Sequence, residues 1–268
     1  MPKISIIIPS YNSNLLLLSQ ALKSVKDQTM TDYEAIVVDD GSMDGRAIGA
    51  ALDATRLKAR VLVKENGGVA SAREYGLRRS NGKYVMFLDD DDMYHPTICE
   101  RLSSALDRTS ADFSSCAGVE GIEPDWGKHA DRGAVVEKTP EKLINMSMSI
   151  FNRCFRRDLI ERHGIKFPVG VRMCDDFVFL MLYANFSSTF FETTDRLYFY
   201  RVNRASQRST MGNDLKKFLP DIDKAIAFME DFFTEAMARR GGTDRVRIDD
   251  DVRKYIAGHF LNGGARFG

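Results

Sequence analysis

The sequence predicts an α/β fold: a mixed, mostly parallel sheet flanked by helices, followed by a helical C-terminal tail. Two observations carry that expectation. Over the first ~110 residues, short apolar runs alternate with segments whose apolar residues recur every three or four positions. Three of those runs also end in polar, chemistry-bearing residues, and ligands of open α/β sheets bind at the carboxyl ends of strands.

Ile4-Ser5-Ile6-Ile7-Ile8 reads as a buried strand closed by Pro9-Ser10-Tyr11-Asn12. Leu15, Leu18, Ala21, Leu22 and Val25 then keep a helical period. Ala35-Ile36-Val37-Val38 is a second strand and ends at Asp39-Asp40-Gly41-Ser42; Val61-Leu62-Val63 is a third. Asn66-Gly67-Gly68 opens a helix over Val69 to Arg79. Tyr84 to Leu88 is a fourth strand and runs into Asp89-Asp90-Asp91-Asp92, whose last member could cap a helix beginning near Pro96.

The second half is less regular. A strand is expected over Asp112 to Val119 and an exposed loop over Trp126 to Gly133. Helices are expected near Pro140 to Ser147, Arg157 to His163 and Asp175 to Ala184, with an aromatic strand over Leu197 to Val202. A long amphipathic helix should fill Asp214 to Arg240, and another Asp249 to Leu261. Its stripe of Leu215, Phe218, Leu219, Ile222, Ala225, Ile226, Met229 and Phe232 is expected to pack on the core; a dimer interface and a membrane surface are the other readings.

With Lys+Arg 38 against Asp+Glu 38 in 268 residues, nothing indicates a nucleic-acid binder, which would carry a basic excess. No run approaches the length of a membrane span, and Met1-Pro2-Lys3 enters a strand with no signal-peptide h-region. Cys99, Cys116, Cys154 and Cys174 are scattered, as buried small hydrophobes of a reducing compartment usually are. The expected location is cytoplasmic, with the inner face of the membrane a second option. Charge is unevenly spread: Arg153 to Lys217 holds 12 Lys+Arg against 7 Asp+Glu.

Four adjacent carboxylates repel one another unless a cation or water screens them. Hard Asp oxygens suit Mg²⁺ or Mn²⁺, and Asp89 and Asp91 can face one ligand together on extended backbone. An acidic turn is the alternative. Asp39-Asp40 suits either a turn or hydrogen bonds to a ribose or base edge. The glycine-opened helix favours an anion but lacks the lysine of a P-loop. Asp175-Asp176 at a helix start complements the dipole or supplies a general base. Arg201, Arg204, Ser206 and Arg208 form a basic loop that could clamp a diphosphate.

Taken in order, these segments resemble the inverting GT-A glycosyltransferases of family two. Ile6 to Asn12 is similar to that family's first strand and nucleotide loop. Val37 to Ser42 with Asp44 is similar to its "VDDGS-x-D" motif. Asn66 to Arg73 with Gly76-Leu77 resembles "N-x-G-x-x-x-AR-N-x-GL", with Glu74 where Asn is usual; Phe87 to Asp92 resembles "FLD-x-DD". Asp175-Asp176-Phe177-Val178-Phe179 resembles "ED-x-x-F", with Asp175 in place of Glu, and Arg201 with Ser206 resembles "Y-R-x-x-x-x-S" more loosely.

The resemblance implies a Rossmann-like GT-A domain over 1–210, with a nucleotide-sugar half (1–110) and an acceptor half (111–210), and a helical segment over 211–268. It implies nucleotide contacts at Pro9, Tyr11, Asp39, Asp40, Asn66, Arg73, Asp89 and Asp90. Diphosphate contacts fall to Arg201 and Ser206, a divalent Mn²⁺ or Mg²⁺ to Asp91, an acceptor-side role to Asp175 and the base to Asp176. The implied activity is inverting transfer from a nucleotide-sugar donor, in the first instance a UDP-sugar, to a hydroxyl of a glycan or lipid-linked acceptor. A silent nucleotide-sugar-binding module and a sugar nucleotidyltransferase are the competing readings. Peripheral membrane association and a homo-oligomer through the C-terminal helices are compatible with it.

Overall fold

In the computed structural model, which describes residues 1–127, 132–139, 149–202, 219–251 and 253–254, the chain builds one mixed sheet. Its nucleus is β1 (Ile4–Ser10), paired in parallel with β2 (Tyr33–Asp39) on one side and β4 (Tyr84–Phe87) on the other, while β3 (Ala59–Val63) extends the parallel set beyond β2. Every residue of β1 and β4 is buried, which is why both read as continuous apolar runs. β3 is an edge strand, so its Val61 and Val63 are exposed.

Helix α1 (Leu15–Lys26) starts where the Asn14 side chain accepts the Leu16 and Leu17 amides, and it buries Leu18, Ala21, Leu22 and Val25. Helix α2 (Arg46–Thr55) follows β2, and α3 (Val69–Arg79) lies against β1 and β2. That approach depends on Gly76, where a Cβ would stand 2.7 Å from Ile7 Cγ2 and 3.0 Å from Val38 Cγ2.

Beyond β4 the sheet becomes mixed. β8 (Arg153–Arg156) joins β4 to β6 (Phe113–Gly121), and β6 runs parallel to the long β9 (Thr189–Arg201). β9 also receives the short β5 (Met93–Tyr94) and β7 (Gly133–Glu137), both antiparallel. Helices α4 (Ile98–Thr109), α5 (Arg157–His163), α6 (Asp175–Asn185) and α7 (Leu219–Ala238) complete the described elements.

The predicted helices over Val69 to Arg79 and Arg157 to His163 match their observed bounds, and α6 extends the predicted one by a residue. Three expectations change. Gly133 starts a strand rather than ending a loop, and the aromatic strand begins at Thr189 because its first half pairs with β7. The helix after Pro96 has Thr97 at its N-cap position, while Asp92 points elsewhere. β5 and β8, two and four residues long, carry too little periodicity to announce themselves; α2, with Ile48 and Ala51 three apart on its buried face, was legible and was missed. The expected helix over 140–147, most of that over 249–261, residues 214–218 of the long helix, and Arg204, Ser206 and Arg208 lie outside the described residues.

Candidate active site at the carboxyl edge of the sheet

Because β1, β2 and β4 are parallel, Ser10, Asp39 and Asp89 emerge on one edge. The loops there are stitched together. The Asn12 amide donates to Ser42 Oγ at 2.9 Å, and Asn12 Oδ1 accepts the Met43 amide at 2.9 Å. Gly41 turns with φ +78, and a Cβ there would lie 2.7 Å from the Asn66 amide nitrogen. Pro9 is buried in β1, whereas Tyr11 and Asn66 are exposed at the rim.

The acidic pair at the end of β2 is buried and hydrogen-bonded. Asp39 Oδ1 accepts the Ser42 amide at 2.9 Å. Asp40 accepts Lys64 Nζ at 2.5 Å and the Gly67 and Gly68 amides at 3.1 and 2.7 Å. Asp40 therefore anchors the glycine loop that opens α3. Lys64 was the unread member of this group, although it stands two residues before Asn66.

The centre of the site is Arg73, buried on α3. Its guanidinium donates to Asp89 Oδ1 at 2.6 Å, Asp175 Oδ2 at 2.7 Å and Asp176 Oδ1 at 2.6 Å. One cation thus joins the acidic run after β4 to the acidic pair that starts α6, 102 positions beyond Arg73 in sequence. Three carboxylates around one guanidinium leave excess negative charge in a buried place. Burial pushes the Asp176 carboxyl well above the usual carboxylate range and raises Asp175; Arg73 pulls both down, and mutual repulsion with Asp89 adds to the rise. Arg153 of β8 is also fully buried, and desolvation brings its guanidinium down to about 10. Sequence reading missed Arg153, because Arg153-Cys154-Phe155-Arg156 is too short and too charged to mark its first residue as buried.

The rest of the run is held from other sides. Asp90 accepts the Ser13 hydroxyl, itself 2.6 Å from Ser10 Oγ; burial and the charges of Asp91 and Asp89 push Asp90 up to about 7. Asp92 accepts the Tyr198 hydroxyl and, at 2.8 Å, the Arg201 amide. Arg201 donates to the Asp91 carbonyl at 2.9 Å, the Ile122 carbonyl at 3.0 Å and Gln20 Oε1 at 2.7 Å, so it sits directly beside the run. Ser206 lies outside the described residues. Where the family pattern has Asn, Glu74 accepts the Phe167 amide at 2.9 Å and Arg78 Nε at 2.6 Å, pinning the segment that leads to α6.

Among the described residues, no three His, Cys, Asp or Glu side chains are grouped to hold a metal ion alone. The oxygen-only donors at Asp91 and its neighbours fit a divalent cation that completes its coordination with phosphate oxygens. They do not fit an all-protein cage.

A mixed sheet with its polar residues gathered on the carboxyl edge and helices around it defines a GT-A-like fold. Staphylococcus aureus TarS residues 1–349 in complex with UDP-GlcNAc superpose with a TM-score of 0.69 at 20% identity, over 97% of this chain and 72% of that one. The family model "Glycosyl transferase family 2" matches residues 5–165, and the chain belongs to that family. Poly(ribitol-phosphate) beta-N-acetylglucosaminyltransferase TarP of S. aureus strain N315 is 29% identical over 84% of this chain and 72% of its own length. The uncharacterized glycosyltransferase EpsJ of Bacillus subtilis strain 168 is 27% identical over 76% of this chain. The chain spans 62% of EpsJ's length, and 37% of the length of TarS from strain MW2, to which it is 26% identical.

Proposed function

We propose that this chain transfers a sugar from a UDP-sugar, with UDP-GlcNAc the first donor to test, to a hydroxyl of a glycan or lipid-linked acceptor, with inversion. The supporting observation is the Arg73 bridge, which holds Asp89 of the run after β4 and the Asp175-Asp176 pair of α6 on one guanidinium. TarS binds UDP-GlcNAc, and TarP is named for transfer of N-acetylglucosamine to poly(ribitol-phosphate), which sets the order of the donor screen.

Asp176 is the base: its side chain retains 22% exposure, against 10% for Asp175, so it is the more open of the pair to an acceptor hydroxyl. Its raised proton affinity suits removal of that proton as the oxygen attacks the anomeric carbon. Asp40 and the glycine loop shape the nucleotide side, with Pro9, Tyr11, Asp39 and Asn66 around it. Arg201 adds fixed positive charge beside the diphosphate. A divalent cation at Asp91 would supply further positive charge to the leaving group.

The test is nucleotide release from UDP-GlcNAc, UDP-glucose and UDP-galactose with Mn²⁺ or Mg²⁺, with and without glycan acceptors. Turnover of at least one donor, abolished by a chelator and restored by the metal, is expected. Neither turnover nor metal-dependent UDP binding with any donor would overturn the reading.

A further inference from the structure

Residues 171–174 enter α6 through an unusual turn. Cys174, a side-chain-bearing residue, has φ +69, in the left-handed region that such residues occupy only when their surroundings hold them there. Its carbonyl accepts the Val178 amide at 2.9 Å, the first hydrogen bond of α6, and Asp175 and Asp176 follow immediately. The direction of both carboxylates is therefore set by this turn.

The turn is gripped from α7. Arg172 donates through Nε and Nη2 to Asp221 Oδ2 at 3.2 and 3.0 Å. Asp221 has no exposed surface, and its Oδ1 is buried with no hydrogen-bond donor among the described residues, Lys224 Nζ standing 3.9 Å away. Burying a carboxylate with one oxygen unsatisfied is unfavourable, and the first turn of α7 offsets only part of it. Burial, with the charges of Asp175, Asp221 and Asp176, pushes the Cys174 thiol up. Helix α7 lies beyond the stretch 5–165 matched by the family model.

We propose that Arg172 and Asp221 are positioning residues, a latch through which α7 holds the Cys174 turn and so aims Asp175 and Asp176 at the acceptor. The role of the aimed carboxylates rests on the proposed function; the latch does not. Arg172 is the better residue to change, because its side chain is 72% exposed and its loss leaves no large cavity.

In the full chain, Arg172→Gln should speed hydrogen exchange at the Val178 and Phe179 amides by about tenfold while leaving β1, β2 and β4 unchanged. Arg172→Lys should restore protection. Under the same conditions, Arg172→Gln should lower transfer turnover by about tenfold with the donor KM within about twofold, the pattern of a displaced acceptor-side group. Unchanged exchange at Val178 and Phe179 overturns the latch, as does equal acceleration across β1, β2 and β4, which would mean general destabilisation. If wild type transfers no sugar from any donor, the functional reading falls, and the exchange result still decides the latch.

Discussion

Arg73 has to balance three carboxylates, and the balance is unfavourable to at least one of them at neutral pH. Since a base acts in its ionised form, a carboxyl held above its ordinary range moves the acid limb of kcat/KM upward. The limb should lie above the ordinary Asp value of about 3.9 and disappear in Asp176→Asn. That variant should lower transfer by about 10²–10⁴-fold and leave UDP affinity within about twofold by calorimetry. It should also be more stable. The folded state raises this carboxyl's pKa, so ionisation opposes folding as pH rises, and a neutral isostere that still accepts from Arg73 removes the opposition. A gain of about 0.5–2 kcal/mol is expected in urea titrations at neutral pH. Wild-type-like transfer by Asp176→Asn would remove the assignment of the base. The acidic run and pair were legible as residues, because each follows a strand or starts a helix. Their meeting was not, since the guanidinium that joins them is an ordinary Arg in the second turn of a helix.

At the level of elements, α4 is fastened to the sheet through Asp107. This carboxylate accepts Lys3 Nζ at 2.8 Å, Lys83 Nζ at 2.6 Å and the Tyr84 hydroxyl at 2.7 Å, tying α4 to the starts of β1 and β4. Burial works to raise its pKa, but these three donors outweigh burial and hold it well below the usual carboxylate range. A depressed pKa stabilises the fold above the unfolded-state value, and that contribution is lost as pH falls through the folded-state value. Asp107→Asn should therefore cost about 1 kcal/mol or less at pH 7, given its partial exposure and solvent screening. Its difference from wild type should shrink below about pH 4, as the unfolded-state carboxyl becomes protonated. Thermal unfolding across pH 3–7 measures both; a difference constant over that range would show that Asp107 acts through packing alone. The parallel elements around it could be read from sequence because two buried faces impose uninterrupted apolar runs. β5, β7 and β8 could not. Two to five residues carry no usable period, and their strand state comes from pairing with β9, β6 or β4.

Across the whole molecule, the sheet passes without a break from the parallel strands to β9, and one hydrophobic core runs with it. Helix α7 joins that core through Ile222, Ala225, Ile226, Met229 and Phe232, with the Phe232 ring 6.2 Å from Phe186 and Lys166 over the Phe228 ring at 5.5 Å. Of the apolar stripe predicted for this helix, these five positions are buried, while Leu219 remains 38% exposed. The chain beyond α7 is drawn back as well: buried Glu230 accepts the Ile248 amide at 2.7 Å and also takes Arg253. We expect α7 to unfold with the sheet rather than as an appendage. Phe232→Ala removes a ring that is 4% exposed and should lower the free energy of unfolding by about 3–5 kcal/mol, because such a cavity collapses only in part. Tyrosine fluorescence reports the sheet through buried Tyr84, Tyr94 and Tyr198, and circular dichroism reports the helices. The two probes should give one coincident urea transition, shifted together by Phe232→Ala. An early step seen by circular dichroism alone, with the fluorescence midpoint unmoved by the substitution, would make α7 an independent unit and leave the sheet to stabilise itself.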